Sequence, residues 1–397
     1  MRVTPSPSPA TLKPHYSAFL ATDRILLTGH SHQAWPDVAA HGLRAAFRDA
    51  ALHVDDKWSA AMARASVLRG AVAASLGVGP DEIALGQNSH ELVSRFLSGL
   101  PWDRGRHIVS TAGEFHSMDR QLRRLAEEGV EVTFVPVAPL ETLAARMGEK
   151  IRRDTVALMA STVLFRTSAV VPHLTEPVEA AHRVGAAVLL DAYHAFCVVP
   201  QTLQSLGPDP IFVTGGGYKY AQWGEGCCWL RVPPESAMRP VFTGWFADFA
   251  NLEGARSSAV GYGPDGASRF AGSTYDPASH YRAAAVVDFF RAQGLTIEAL
   301  RRISLGQTQR LIDALPQLTL MTPRAAKARG GFVAFRVPDA GRVVAAVRGQ
   351  GVFTDARDEI LRLGPAPYLT DDELDRGAAV VAEAVARLSP SALVSQQ

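Results

Sequence analysis

The sequence predicts an α/β protein with a large domain built on a mainly parallel sheet of the seven-stranded type, followed by a smaller α/β C-terminal domain. Two observations lead to this fold class. Between residues 83 and 232, short β-rich segments alternate with helical patterns, which is typical of a parallel sheet covered by helices. The segment Ala187–Leu190 is a continuous apolar run, as expected of a strand buried on both faces.

The composition excludes several classes of protein. Of the 397 residues, 47% are hydrophobic and 20% are charged, which is ordinary globular usage and not that of a disordered or coiled-coil chain. The 40 basic and 39 acidic residues nearly cancel, so we expect neither a nucleic acid nor a membrane surface as partner. No run approaches the roughly 18 apolar residues of a membrane span. The three cysteines, Cys197, Cys227 and Cys228, are predicted to lie in apolar strand-like runs and form no disulfide framework. We therefore expect a soluble, cytoplasmic protein.

The predicted large domain covers residues 21–272. Residues 1–20 before it are predicted to form an arm, because four prolines oppose a regular helix there. The domain begins with a strand at Ile25–Leu27 and a helix at Trp58–Leu76. The seven strands predicted for its sheet are Ile83–Leu85, Ile108–Ser110, Val132–Val135, Val156–Ala160, Ala187–Leu190, Ile211–Thr214 and Cys227–Val232. The helices predicted between them include Glu91–Gly99, Met118–Glu128 and Leu174–Val184.

The predicted small domain covers residues 273–397. It follows a stretch rich in glycine, proline and serine, and it opens with a long helical region from Pro277 to Leu315, which Pro316 closes. The elements predicted after that region are strands at Gly331–Val337 and Ile360–Leu363 and helices at Gly341–Gln350 and Asp371–Leu388.

Lys219 is the lysine whose surroundings suit covalent chemistry. The chain has only five lysines, and the other four lie in a proline-rich or strongly charged context typical of a solvated surface. Lys219 follows three consecutive glycines just after an apolar strand, where a ligand could approach the backbone closely. An amine whose pKa is lowered in such a loop can attack a carbonyl to form a Schiff base. The loop alone is equally compatible with a glycine turn that carries a surface lysine.

Asp191 supplies a second feature. It stands at the carboxyl end of a buried strand, the edge at which open α/β sheets bind ligands. A buried carboxylate needs a partner, and the protonated ring nitrogen of pyridoxal phosphate (PLP) is one. His194 follows three residues later and could brace the carboxylate. The plain alternative is a capping aspartate beside a packed histidine.

A phosphate cradle is predicted at Gly86–Glu91. This segment follows a strand and opens a helix, whose free N–H groups bind phosphate, and Ser89 adds a hydroxyl. An ordinary helix cap explains the same residues equally well.

Taken together, these segments resemble the fold-type-I, class V aminotransferase superfamily of PLP-dependent enzymes, which has the aspartate aminotransferase fold, and within it the kynureninases. The resemblance covers residues 24–388 approximately. Asp191-x-x-His194 and Gly217-Tyr218-Lys219-Tyr220 resemble the segments of the cofactor-binding acid and the Schiff-base lysine. The other matching segments are Phe165–Ser168, Gly244-Trp245-Phe246, Arg269–Thr274 and Ile360–Tyr368.

The resemblance implies a role for each matching residue. Lys219 would be the Schiff-base lysine and proton shuttle, Asp191 would hold the pyridinium with support from His194, and Tyr218 would assist by proton transfer. Arg362 would clamp the α-carboxylate of the substrate. The remaining cofactor contacts implied are the phosphate ligands Asn88, Ser89 and Tyr218, a ring-stacking Phe115 or His116, and Trp245 with Ser273 or Thr274 across a dimer interface.

The chain departs from the kynureninase pattern near its N-terminus. It carries Gly29-His30-Ser31-His32 where kynureninases carry Gly-Asn-Ser-Leu, and the segment from Trp58 to Val78 lacks their Pro-Trp motif. In the family these positions line the aryl pocket, so His30, Ser31 and His32 are the expected substrate contacts. The departures therefore concern the expected substrate pocket and not the cofactor site.

The resemblance therefore implies a PLP-dependent homodimer that hydrolyses the Cβ–Cγ bond of kynurenine or a similar amino acid to anthranilate, or a related aryl acid, and alanine. The first alternative is a class V aminotransferase or lyase acting on another amino acid. A desulfurase is disfavoured because no cysteine follows Cys228. Two further alternatives are a metal-dependent hydrolase that uses His30-x-His32 and a non-catalytic relative.

Overall fold

A computed structural model describes residues 7–251 and 259–388 of the chain. Residues 1–6 of the predicted arm, residues 252–258 of the predicted large domain and residues 389–397 of the predicted small domain lie outside the described residues.

The strands are β1 (Ile25–Leu26), β2 (Ile83–Gly86), β3 (His107–Thr111), β4 (Glu131–Val135), β5 (Thr155–Ser161), β6 (Ala187–Asp191), β7 (Phe212–Gly216), β8 (Cys228–Arg231), β9 (Thr319–Leu320), β10 (Val333–Arg336), β11 (Val352–Phe353), β12 (Asp355–Arg357) and β13 (Ile360–Leu363). The helices are α1 (Pro9–Leu12), α2 (Val38–His53), α3 (Lys57–Leu76), α4 (Ser89–Ser98), α5 (His116–Glu127), α6 (Leu143–Lys150), α7 (Thr175–Arg183), α8 (Leu203–Leu206), α9 (Ala278–Ala292), α10 (Ile297–Ala314), α11 (Ala340–Arg348) and α12 (Asp371–Leu388).

The large sheet has seven strands in the order β2-β8-β7-β6-β5-β3-β4. Strand β8 runs antiparallel to β2 and β7, and the other pairings are parallel. The seven predicted strands thus form one mainly parallel sheet.

Helices cover both faces of this sheet, which explains the apolar runs. Along β6, Val188 and Leu190 belong to one hydrophobic cluster and Leu189 to another. Because successive side chains of a strand point to opposite faces, both faces of β6 are buried. Helix α4 packs against β7 and β8, while α7 packs against β5 and β6.

The smaller unit is built on a four-stranded antiparallel sheet in the order β12-β13-β10-β9. Helices α11 and α12 pack against each other, and α10 packs against α12. Strand β1 pairs in parallel with β11, which ties the N-terminal segment to this unit. The domain boundaries at residues 21 and 273 stay predictions.

Three local predictions are wrong. Residues 9–16 form α1 and a 3-10 turn, because Pro9 occupies the first helical turn, where its missing N–H costs nothing, and Ser8 caps the helix. The long helical region breaks into α9 and α10 at Gly294, whose φ is +65°. Cys197 lies in a turn after β6, not in a strand.

The sheet brings the carboxyl ends of β5, β6 and β7 to one edge, beside the N-termini of α4 and α5. In the part of the chain that the structure describes, no helix is long and apolar enough to cross a membrane.

Candidate active site

A cavity of about 200 Å³ opens at this edge of the sheet. Seven residues that the sequence singled out line it, namely Asn88, Ser89, Phe115, Asp191, His194, Tyr218 and Lys219. The fold therefore brings together segments that lie up to about 130 residues apart in the chain.

The amine of Lys219 is buried inside this cavity. The side chain is 3% exposed, and its Nζ lies 2.8 Å from His194 Nε2. The rings of Tyr193, Phe115 and Tyr218 surround the same Nζ, with centroids 4.7, 5.2 and 5.5 Å away. Burial lowers the pKa of Lys219 to about 7, so the amine is largely neutral and nucleophilic above neutral pH. The alternative of a surface lysine on a glycine turn is wrong.

Asp191 ends β6 and faces the same cavity. Its Oδ1 accepts a hydrogen bond of 2.8 Å from the backbone N–H of Tyr193. Burial raises the pKa of Asp191, and the charge of Lys219 opposes that shift. The expected brace from His194 is absent from the hydrogen bonds of Asp191, because the turn after β6 directs the imidazole of His194 toward Lys219.

The N-terminus of α4 forms one end of the cavity. Asn88 caps the helix, and its Oδ1 accepts a hydrogen bond of 2.9 Å from the N–H of Glu91. Ser89 is the first helical residue, so the positive end of the helix points into the cavity beside its hydroxyl. An anion such as a phosphate would bind favourably here.

Phe115, and not His116, reaches the cavity. Phe115 lines it, whereas His116 is exposed at the start of α5 and does not belong to the lining. The two rings contact each other and also Phe165. A planar ligand in this cavity would therefore meet the Phe115 ring.

Arg362 lies near the cavity without lining it. Its guanidinium is 2% exposed and forms a two-pronged ion pair with Asp355, the residue opposite it across β12 and β13. Its Nη1 also donates a hydrogen bond of 2.7 Å to the carbonyl of Phe165.

The three N-terminal residues expected to contact the substrate lie in different environments. His30 is fully buried, stacks on Phe332 and contacts Asp355, and Ser31 is also buried. His32 is exposed, with its ring 6.4 Å from that of Tyr218. Within the described residues, no group of three or more His, Cys, Asp or Glu side chains could hold a metal ion, and His30-x-His32 is not part of one.

The structure places none of Trp245, Ser273 and Thr274 in the lining of the Lys219 cavity. Trp245 lines a separate apolar cavity of about 480 Å³ together with Trp58 and Phe246. Ser273 and Thr274 are exposed on the nearby chain. Within one chain, these residues do not join the cluster around Lys219.

Several residues of this region were missed by sequence reasoning. Tyr193, Ser117, Glu225 and Cys228 line the Lys219 cavity. Glu114 and Asp355 were also missed, and they do not line the cavity. Glu114 contacts Ser161 at the end of β5, and Asp355 contacts Arg362. Asp355 could have been found, because a short hairpin that turns at residues 358–359 places it opposite Arg362. Nothing in the sequence pattern marks Glu114.

Glu114 is a fully enclosed acid. It accepts hydrogen bonds from the hydroxyl of Thr111 and from both the N–H and the hydroxyl of Ser161. Ser161 is the register partner of Asp191 between β5 and β6. Burial raises the pKa of Glu114 to about 7, which leaves it partly protonated at neutral pH.

The residues in the cavity fit PLP. A buried amine, a carboxylate, an aromatic ring and a helix N-terminus surround one space, and each suits one part of that cofactor: the aldehyde, the ring nitrogen, the ring face and the phosphate.

Comparison with known proteins agrees with this fit. Residues 300–381 match the family model described as the kynureninase C-terminal domain. The chain is 29% identical to the kynureninase of Deinococcus radiodurans over 322 residues, which are 77% of this chain and 75% of that protein. It is 24% identical over 340 residues to the uncharacterized aminotransferase YcbU of Bacillus subtilis, covering 83% and 86% of the two chains.

Solved structures share the fold at lower sequence identity. The cystine C–S lyase C-DES, in complex with its product cysteine persulfide, is 19% identical and superposes with a TM-score of 0.80 over 93% of this chain and 99% of its own. The apo cysteine desulfurase of Thermococcus onnurineus NA1 is 19% identical, with a TM-score of 0.79 over 96% and 99%. These likenesses confirm the predicted fold class.

Proposed function

We propose that this chain, a kynureninase-like member of the fold-type-I PLP-dependent enzymes of the class V aminotransferase superfamily, hydrolyses the Cβ–Cγ bond of kynurenine or a kynurenine-like amino acid. The products would be anthranilate, or a related aryl acid, and alanine. The observation that carries the proposal is the buried amine of Lys219 in one cavity with Asp191, close to the buried guanidinium of Arg362.

At Cα, the reaction would depend on the cofactor, on Lys219 and on Asp191. When bound, PLP supplies an electron sink for the electron pair that remains at Cα after a proton is removed. Lys219 would hold the cofactor and then carry the Cα proton, since its pKa of about 7 suits both giving and taking a proton. Asp191 would keep the ring nitrogen protonated through its negative charge.

Tyr218 would act at the bond that breaks. Burial raises its pKa to about 12, so the phenol carries its proton at neutral pH and can donate it. Water adds to the γ-carbonyl carbon, the Cβ–Cγ bond breaks, Cγ leaves as the aryl acid, and Cβ gains a proton to give alanine. One water is consumed for each molecule cleaved.

Binding and orientation fall to residues around the cavity. Arg362 would bind the α-carboxylate, for which its planar fork is suited. Asn88, Ser89 and Tyr218 would hold the phosphate, and Phe115 would stack on the ring. His194, which contacts the Lys219 amine, would orient that amine and not the carboxylate of Asp191.

A second copy of the chain would complete the site. Trp245 and Phe249 line the apolar cavity and are exposed, as are Val241 and Phe242 a few residues earlier in the chain. Exposed large apolar residues of this kind are typical of an interface. Trp245, with Ser273 or Thr274, would then reach the partner's cofactor site. The corresponding proposal is a homodimer, and the three free cysteines support a reducing, cytoplasmic compartment for it.

Two measurements test the proposal. Purified protein incubated with kynurenine should release anthranilate and alanine in equal amounts. Its visible spectrum should show a cofactor band that borohydride reduces and that Lys219→Ala removes. A reducible band without anthranilate would refute the substrate, whereas the absence of the band would refute the cofactor assignment.

A class V aminotransferase is the second candidate. The match to the aminotransferase YcbU covers more of the chain than the match to the Deinococcus kynureninase, and this observation favours it. An aminotransferase would need an α-keto acid to turn over repeatedly and would release no alanine from kynurenine. Product analysis with and without an added keto acid separates the two reactions.

A further inference from the structure

The guanidinium of Arg362 already has an acceptor at each of its three nitrogens. Its Nε donates to Asp355 Oδ1 at 2.9 Å, its Nη2 donates to Asp355 Oδ2, and its Nη1 donates to the carbonyl of Phe165. Because Asp355 and Arg362 are register partners in the β12–β13 hairpin, the backbone itself holds this pair together. The side-on edge of the guanidinium is therefore occupied before any substrate arrives.

His30 contacts the same oxygen of Asp355 that accepts the hydrogen bond from Arg362 Nε. Its Nε2 lies 2.9 Å from Asp355 Oδ1, and its ring is fully buried and stacked on Phe332 at 4.5 Å. The Cζ of Arg362 lies 5.6 Å from the centroid of the same Phe332 ring. Burial lowers the pKa of His30 to about 4, so the imidazole is neutral and its Nε2–H donates to the ionised Asp355.

Each of the three guanidinium nitrogens makes one of these hydrogen bonds, so Nη1 and Nη2 each carry a second hydrogen that the contacts above do not use. A carboxylate binds a guanidinium end-on through one hydrogen of each Nη, with two parallel hydrogen bonds. The plane of the guanidinium decides where that carboxylate sits. The contacts that set the plane are those with Asp355 and Phe165, with His30 behind Asp355.

We propose that His30 and Asp355 are positioning residues, which hold Arg362 so that its end-on edge receives the substrate α-carboxylate. The inference rests on the proposed function, which assigns that carboxylate to Arg362. It also gives His30 a role different from the expected one, because His30 acts through Asp355 and does not form a wall of the aryl pocket.

The first test substitutes Asp355→Asn in the PLP-loaded enzyme. An amide cannot accept from both Nε and Nη2, so the guanidinium loses one charge-assisted hydrogen bond and its fixed plane. We expect KM for the best amino-acid substrate to rise about tenfold or more, with kcat changed less than about threefold, since the lost contact serves binding in the ground and transition states alike.

The opposite result has a clear meaning. An Arg362 freed from its counter-ion would attract a carboxylate more strongly, so an unchanged or lower KM would show that Asp355 only neutralises Arg362, and the proposal would be overturned.

Asp358→Asn is the matched control. Asp358 lies on the same hairpin, is exposed, pairs with Arg166 at 3.0 Å and has a φ of +52° that asparagine tolerates, so its KM should stay at the wild-type value.

A second measurement is independent of turnover. We expect Asp355→Asn to weaken the binding of L-alanine about tenfold. Calorimetry and the visible spectrum measure this binding. Alaninamide, which lacks the carboxylate, should bind the variant and the wild-type protein equally. Equal losses for both ligands would overturn the positioning role. If the wild-type protein binds L-alanine but cleaves no kynurenine, the proposed function fails and the positioning role is still decided by the two ligands.

His30 is tested by rescue. His30→Ala removes the donor to Asp355 and should weaken L-alanine binding, whereas His30→Asn retains a donor and should recover part of the loss. Melting temperatures of the two variants separate misfolding from misorientation. Equal L-alanine affinities in correctly folded His30→Ala and wild-type protein would remove His30 from the proposal.

Discussion

At the scale of single residues, the burial of Lys219 is the decisive feature. An ammonium in this environment is costly, and the enclosing rings of Tyr193, Phe115 and Tyr218 keep water away from it. Asp191 offsets part of the cost by its charge. The result is an amine that releases its proton near neutrality.

The pKa of Lys219 predicts how the protein takes up its cofactor. The neutral fraction of an amine with a pKa near 7 rises roughly fivefold between pH 6 and pH 7 and at most about twofold above that. We expect the rate at which cofactor-free protein gains the reducible visible band to follow this curve. A rate that keeps rising tenfold per pH unit up to pH 10 would contradict a buried amine, and Lys219→Ala should give no band.

Glu114 predicts a pH dependence of stability. Its folded-state pKa of about 7 lies above its ordinary value of 4.5, so the folded protein binds this proton more tightly than the unfolded chain does. The corresponding stabilisation is complete below pH 4.5, decreases as the pH rises to 7 and is lost above it.

The variant Glu114→Gln isolates this contribution. Glutamine can retain the hydrogen bonds with Thr111 and Ser161 but cannot ionise. Between pH 5 and pH 8, we expect the variant to lose less unfolding free energy than the wild type, by an amount on the order of 2 kcal/mol in urea titrations. Glu128→Gln on the exposed end of α5 is the control and should leave the pH dependence unchanged.

At the scale of elements, Arg231 anchors the antiparallel strand β8. Its side chain is 2% exposed and donates to Glu82 before β2 and to Asp209 before β7, so one guanidinium joins the three strands at this end of the sheet. We expect Arg231→Met to lower the unfolding free energy by about 3 kcal/mol, because it leaves two acids without their partner. Exposed Arg152 pairs with Glu131 and Asp154, and Arg152→Met should cost less than about 1 kcal/mol.

Gly216 at the end of β7 allows the cavity wall to form. A Cβ there would collide with the phenol of Tyr193 and with the thiol of Cys228. Because the φ of Gly216 is ordinary, Gly216→Ala should fold but push the Tyr193 ring toward the cavity and weaken PLP binding about tenfold or more, as measured by fluorescence titration. Gly306→Ala on α10, where a Cβ meets nothing within 4 Å, should bind PLP normally.

At the scale of the whole molecule, the separation of Trp245 from Lys219 predicts a shared site. If Trp245 serves the partner's cavity, mixing unfolded Lys219→Ala and Trp245→Ala chains and refolding them together forms hybrid dimers with one complete site. Random pairing would then restore about a quarter of the wild-type activity from two inactive proteins. No recovery in a mixture that sedimentation shows to be dimeric would contradict the shared site.

Much of the fold could be predicted because the inner strands β3, β5, β6, β7 and β8 of the large sheet are buried on both faces. Continuous apolar runs such as Ala187–Leu190 mark such strands without knowledge of their neighbours. Helix α2 was missed because its apolar residues are divided between a packed face and an exposed one that carries Phe47 and Leu52. The break at Gly294 was missed because the helical pattern continues on both sides of it.

The groups that carry the proposed chemistry can be identified in the sequence: a lysine after three glycines, an acid at the end of a buried strand and a capped helix N-terminus after another strand. These depend on local spacing, which a parallel sheet converts into proximity at one edge. The folded chain adds three facts: His194 contacts Lys219, Phe115 and not His116 faces the cavity, and His30 reaches Arg362 through Asp355. Those outcomes depend on side-chain directions and on contacts between segments some 325 residues apart, and no local pattern encodes such contacts.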